Sequence, residues 1–137
     1  MNKIVLVTGA SRGIGLEVAK LFSKEGYKVI GTSRGDFNLG DLIGDSSAMS
    51  VQLDLVSKES IYNLFADLKS KDLLPSVLVN NAGITKDQLF LRMKDKDWDE
   101  VIVTNLNGLY IVTKDFIKPM VKNKFGRVIN ISSVAGL

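Results

Sequence analysis

The stretch VTGASRGIG, residues 7–15, spaces Gly9, Gly13 and Gly15 as T-G-x-x-x-G-x-G. Glycine permits a tight turn and lets a phosphate approach the backbone closely. If a helix opens there, its free N–H groups and dipole favour an anion. The other reading is a tight turn without a ligand. A second candidate lies in NISSVAGL, residues 130–137, where Ser132 and Ser133 follow an apolar run. A hydroxyl at the end of a buried strand can orient a substrate; a Ser-Ser pair can also be a turn or a cap. The third is Asn105. Trp98, Ile102, Asn105, Leu109, Val112 and Phe116 recur at three- and four-residue steps, and Asn105 is the polar member. A buried amide needs hydrogen-bond partners. It can find them in a functional site or in the backbone at a bend.

These residues need elements to hold them. Ile4 to Val7 reads as a first strand. Ile14, Val18, Leu21 and Phe22 have helical spacing, with Gly26 closing that helix. Val29 and Ile30 mark a second strand, Val51 and Leu53 a third, Val77 to Val79 a fourth, and Val128 to Ile131 a fifth. Ser57 is placed to cap a helix carrying Ile61, Leu64, Phe65 and Leu68, and a long helix is expected from Asp97 to Asn123. Gly35 to Met49 reads as a loop with at most a short helix. Near-continuous apolar strands alternating with helices predict an α/β fold, a Rossmann-type doubly wound parallel sheet in one domain over 1–137. It is expected to stop after its fifth strand.

In such a sheet an acidic residue ending the second strand grips the 2′-hydroxyl of NAD. Here Ser33 and Arg34 stand there, with Arg12 in the glycine turn. Two guanidiniums and no carboxylate favour a 2′-phosphate, hence NADP(H). Solvated surface arginines are the alternative. Composition excludes much else. The chain is 45% hydrophobic and 24% charged, with net charge +3, no cysteine and no histidine. Disulfides, thiolate metal sites and imidazole chemistry are absent, and no metal site is expected. No apolar run nears the ~20 residues of a membrane helix, and none resembles a signal-peptide core. The expectation is a cytoplasmic protein that binds neither nucleic acid nor membrane.

The motifs converge on a family. T-G-x-x-x-G-x-G, NNAG at residues 80–83, TNLNG around Asn105 and the ISS ending the fifth strand together resemble the short-chain dehydrogenases/reductases. NNAGITKDQLFLRMKDKDWDEVIVTNLNGLY and GRVINISSVAGL are most similar to the 3-oxoacyl-acyl-carrier-protein reductases of fatty-acid synthesis. The resemblance implies that Gly9, Ala10, Ser11, Arg12, Gly13, Ile14 and Gly15 hold the pyrophosphate and nearby ribose. It implies that Arg34 meets the 2′-phosphate, that Asp54 and Leu55 frame the adenine, and that Asn81, Ala82 and Gly83 line the cofactor. It makes Ser133 and Asn105 catalytic. Ser133 would hydrogen-bond the substrate carbonyl, and Asn105 would support a proton relay.

The family's Tyr-x-x-x-Lys proton donor does not follow Ser133 here. Tyr110 and Lys114 have that spacing but precede Ser133. On a regular helix they point about 140° and about 180° from Asn105. A longer enzyme, a split or truncated gene, and a non-catalytic dinucleotide-binding module are all consistent with this. A polypeptide of these 137 residues alone is expected to reduce ketones poorly or not at all. A reductase of another small ketone or sugar is the further alternative. Lys114, Lys118 and Lys122 stripe one helix face, and Lys124 and Arg127 follow. They form either a dock for an acidic acyl-carrier protein or a solvated face. A homo-oligomer is expected for the full-length family fold.

Overall fold

The computed structural model describes residues 2–81 and 94–131. In chain order these form β1 (Ile4–Val7), α1 (Gly13–Lys24), β2 (Lys28–Ser33), α2 (Leu39–Ile43), β3 (Met49–Gln52), α3 (Lys58–Ser70), β4 (Val77–Asn80), α4 (Asp95–Ile102), a π-helical segment (Val103–Gly108), α5 (Leu109–Lys122) and β5 (Arg127–Asn130). All strand pairs are parallel, in the order β3-β2-β1-β4-β5. The chain winds outward from β1 to β3, then returns to β4 on the other side. The carboxyl ends of β1 and β4 therefore flank the point where winding reverses, the place such sheets offer to ligands. Among the described residues no helix is long and apolar enough to cross a membrane.

Two cores cover the two faces, as the apolar strands require. Val5, Val7, Val29, Val77 and Val79 point to the α1–α2 side. Leu6, Ile30 and Leu78 point to the other, where Ile61, Leu64, Leu68, Val112 and Phe116 of α3 and α5 meet them. Side chains that alternate along a strand must alternate between these layers. The Phe65 and Phe116 rings join α3 to α5 edge-to-face at 5.2 Å.

α1 differs from its sequence reading. Ile14 and Leu21 are not core residues; they are 61% and 58% exposed. The buried positions are Gly15 and Ala19, flanked by the half-buried Leu16, Val18 and Phe22. Small residues let the helix lie close to β1, and close approach brings its first turn against the turn that follows the strand. Its far end matches the expected stop. Gly26 N–H donates to Ser23 and Tyr27 N–H to Phe22, the paired bonds of a glycine-terminated helix.

Residues 35–49 contain the short helix α2, capped by Asn38 Oδ1, which accepts from Asp41 N–H at 3.1 Å. Ser57 caps α3 as its position suggests, accepting from Ser60 N–H at 3.1 Å. The long helix begins at Asp95 and ends at Lys122, but it is not regular: the π-helical segment interrupts it and contains Asn105. Trp98, placed on the apolar stripe by spacing, is exposed, and full burial on that stripe is reached at Val112 and Phe116. An extra residue in one turn rotates everything beyond it, so a constant three- and four-residue step does not describe this helix.

Polar groups join the layers. Buried Asn80 donates to Thr113 Oγ1 at 3.1 Å and to Asn130 Oδ1 at 3.0 Å, linking β4, α5 and β5. On the other side, Asp45 ties α1 to the α2–β3 connection. Its carboxylate accepts from Ser23 Oγ at 2.6 Å, and from Ser47 Oγ at 2.6 Å and N–H at 2.9 Å; Lys28 donates to the Ser47 carbonyl. The Ser23 hydroxyl, followed by that of Ser47, holds the Asp45 carboxyl below its ordinary value of 3.8. A carboxyl lowered by folding stabilises the fold fully above the unfolded value, and that contribution disappears as pH falls through the folded one. Ser23→Ala should therefore destabilise the chain modestly above about pH 5. The gap from the unmodified chain in urea-unfolding midpoint should shrink as pH drops below 3.8; a gap that widened would contradict the assignment.

Candidate functional site

β1 ends at Val7, and α1 starts at Gly13. The residues between must reverse the chain while exposing backbone N–H groups. Gly9 and Gly13 achieve this with φ of 67° and 60°, a left-handed conformation costly for residues with a Cβ. Arg12, the residue before the helix, is extended and makes no side-chain cap. The first turn of α1 carries no acidic residue. Leu16 N–H returns to the Arg12 carbonyl, whereas the N–H groups of Gly13, Ile14 and Gly15 have no partner among the described residues. That is an uncompensated positive helix end.

Neighbouring strands brace the turn. Gly9 N–H donates to Thr32 Oγ1 at 3.3 Å, and Ala10 N–H to the Thr32 carbonyl at 2.8 Å. From the other side Asn81 Nδ2 donates to the Gly9 carbonyl at 3.0 Å, and Asn81 N–H to Thr8 Oγ1 at 3.0 Å. Gly15 packs underneath. A Cβ there would stand 2.0 Å from the Gly9 oxygen and 2.5 Å from Asn81 Nδ2.

In front of the turn lies a cleft of 530 Å³. Among the sequence-predicted residues, Gly9, Ser11, Arg12, Gly13, Arg34, Asp54, Leu55 and Asn81 line it. Ala10 is buried behind the wall, where its N–H braces the turn. Gly15 supports the floor from below, and the Ile14 side chain points to solvent. Asn105 lies in the π-helical segment. Ala82, Gly83, Ser132 and Ser133 lie outside the described residues.

The cleft also includes Thr32, Gly35, Leu53 and Val56. The register signals Thr32: Val7 faces Gly31, so the next residue of β2 stands beside the glycine turn. Leu53 and Val56 follow from β3 having the bounds Met49–Gln52, which put Leu53 beyond the strand rather than in it. Asp54 closes that wall. Its Oδ1 accepts from Val56 N–H at 3.0 Å, and its own N–H donates to Ser60 Oγ at 3.0 Å.

The charges fit a phosphorylated ligand. Arg12 and Arg34 are exposed at the cleft, and neither guanidinium has an ion-pair or hydrogen-bond partner among the described residues. A Cβ placed on Gly13 would meet nothing within 4 Å. Space for a ligand therefore lies directly against the backbone at the helix start. Pockets of this volume suit cofactor-sized molecules. Among the described residues no cluster of acidic side chains is arranged to hold a metal ion. Tyr110 is 61% exposed and packs with Lys114 at 5.6 Å in a separate surface hollow with Lys58 and Tyr62, away from the cleft.

A family model described as short chain dehydrogenase matches residues 3–137. Among curated proteins, the 3-oxoacyl-[acyl-carrier-protein] reductase FabG of Haemophilus influenzae is 43% identical over 138 residues; the match covers 98% of this chain and 57% of that protein. FabG of Escherichia coli K12 is 39% identical, with 98% and 56% covered. Among solved structures, a short-chain dehydrogenase from Streptomyces avermitilis superposes with a TM-score of 0.91 at 33% identity, over 98% of this chain and 50% of its own. A 4-hydroxyisoleucine dehydrogenase complexed with NADH gives 0.87 at 33% identity, with 98% and 57% covered. The chain thus spans little more than half the length of these relatives.

The contact beneath the turn makes one substitution diagnostic. Gly15→Ala drives a methyl carbon into the Gly9 carbonyl and should lower stability by about 3 kcal/mol or more. Thermal unfolding should show a fall of roughly 10 °C or more. Gly13→Ala meets no atom and should cost only its left-handed conformation, about 1–2 kcal/mol. Equal or reversed effects would contradict the packing.

Proposed function

Because the chain belongs to the short-chain dehydrogenase family, we propose that it forms the cofactor-holding part of an NADPH-dependent reductase acting on 3-oxoacyl groups carried by an acyl-carrier protein. The observation that carries the cofactor reading is the pair of guanidiniums, Arg12 and Arg34, without a partner among the described residues, at one cleft whose β2 end bears no carboxylate. Arginine matches a phosphate with two parallel N–H bonds, and a carboxylate at that position would repel it. A neighbour of the same fold is complexed with NADH. The choice of cofactor is therefore assigned to Arg34 and its surroundings rather than to the fold.

Within this reading the α1 N–H groups and Ser11 bind the pyrophosphate, and Asp54 and Leu55 flank the adenine. When bound, NADPH supplies the hydride that reduces the keto carbon. Ser133 donates a hydrogen bond to the substrate carbonyl oxygen and so stabilises its developing negative charge. Asn105 holds the proton path that serves this oxygen. The substrate class rests on likeness to curated relatives named as 3-oxoacyl-[acyl-carrier-protein] reductases; the role in fatty-acid synthesis follows from that class.

Exposed Lys114, Lys118 and Lys122 on α5, with Lys124 and Arg127 beyond it, give the carrier protein a basic approach. Tyr110, Ile117 and Val121 are also exposed on α5, at seven- and four-residue steps. Such a stripe supports pairing of this helix between two copies of the chain.

Arg34→Ala should weaken NADPH binding about 10- to 100-fold, the range for a lost charged hydrogen bond, and leave NADH binding nearly unchanged. Fluorescence titration of the two cofactors checks this; parallel losses would remove the 2′-phosphate assignment. Lys122→Glu combined with Lys124→Glu should weaken acyl-carrier-protein binding about tenfold at low salt. Unchanged binding in a sedimentation or interferometry assay would remove the docking patch.

A further inference from the structure

Gly108 closes the π-helical segment and is buried against Leu55. A Cβ at Gly108 would stand 2.8 Å from the Leu55 carbonyl oxygen and 2.9 Å from Leu55 Cβ. Both obstacles are fixed close to the main chain, so no rotamer change relieves them. Nor is Leu55 free to retreat. Asp54 Oδ1 accepts from Val56 N–H, Asp54 N–H donates to Ser60, and Ser57 N–H donates to the Asp54 carbonyl at 3.0 Å. Leu55 itself is in the core with Leu53 and Ile61. The same short connection, Leu53 to Val56, forms one wall of the cleft. The back of that wall rests on the segment that contains Asn105.

We propose that Gly108 is a positioning residue for the cofactor: by admitting Leu55 against its bare Cα, it sets the depth of the cleft's adenosine wall and couples that wall to the π-helical segment bearing Asn105. The inference rests on the cofactor reading above. It adds that cofactor binding and the placement of the Asn105 segment are mechanically joined through a contact neither the glycine turn nor the arginines make. A residue larger than glycine must push either Leu55 into the cleft or the segment away from it. The first closes the adenosine wall; the second loosens its support.

The test titrates the 137-residue chain with NADPH and with 2′,5′-ADP, which carries only the adenosine end. Gly108→Ala should raise both dissociation constants about five- to tenfold. Gly126→Ala is the control for general destabilisation. Its Cβ would meet the Met120 side chain at 2.5 Å, at the far end of α5. It should lower the melting temperature and leave both constants within about twofold. Normal binding by the unmodified chain, with unchanged constants in a folded Gly108→Ala variant, would overturn this inference alone. So would equal losses in Gly126→Ala. Failure of the unmodified chain to bind NADPH would overturn the cofactor reading and this inference with it. Should Gly108→Ala not fold, hydrogen exchange on the unmodified chain decides. NADPH should raise protection at Leu55 and Val56 together with residues 107–112, and leave residues 120–126 unchanged; protection confined to the cleft connections would overturn the coupling.

Discussion

The Gly9 peptide is the point on which the carboxyl end of the sheet depends. In the peptide joining Gly9 to Ala10, the carbonyl accepts from Asn81 on β4's side and the N–H, that of Ala10, donates to the Thr32 carbonyl on β2's side. A peptide pinned at both ends cannot rotate, so the turn that follows has one course. That course aims the first N–H groups of α1, which have no partner among the described residues, towards the cleft. The arrangement exists only because α1 lies close enough to touch the Gly9 oxygen, a distance that Gly15 alone permits. The anion-binding geometry is thus a consequence of helix–sheet packing. The exposed helix end and the stability of the fold share the same few atoms.

The packing extends this constraint inward. Ala19 continues the small face begun by Gly15 one helical turn later, while Val5, Val7 and Val79 present flat, branched surfaces beneath it. On the other face, Leu6 and Leu78 meet Phe116 and Val112, so α5 is anchored at its middle. Asn80 adds direction to this apolar contact. Its two amide hydrogens have acceptors on α5 and on β5, and a register slip of either element would leave a buried donor unpaired. The strand running towards Ser132 and the helix running from Asn105 are therefore referenced to one side chain on β4.

Much of this was readable from residue spacing. The βαβ alternation, the glycine turn, the Ser57 cap and the short helix within 35–49 each have a local physical cause that the sequence displays. What spacing misplaced has causes elsewhere. Ile14 and Leu21 fit an apolar helical stripe, yet the face that packs is defined by Gly15 and Ala19, because proximity to Gly9 outranks side-chain size there. Thr32 carries no motif of its own; its role appears only when the register sets it beside Gly9. Arg12, Arg34 and Asp54, which were legible as charges, come from three separate connections, and only the folded sheet brings them to one cleft.

The long helix shows the limit of periodic reasoning most directly. A 3.6-residue repeat places Tyr110 and Lys114 away from Asn105 by angle, but the π-helical segment invalidates that angle. The stronger argument is environmental. Tyr110 is exposed, stacks with Lys114, and shares a hollow with α3 residues rather than with the cleft. The irregularity has its own physical logic. An inserted residue weakens the helical hydrogen-bond ladder, and a segment so weakened needs external support to hold its shape. Gly108 provides it by bringing the backbone onto Leu55, where the capped and hydrogen-bonded Asp54–Ser57 connection is rigid. Without a close buttress, a π turn could relax towards a regular helix and rotate Asn105 about the helix axis. Buttressing on the cleft wall lets the irregular geometry persist where it also backs that wall.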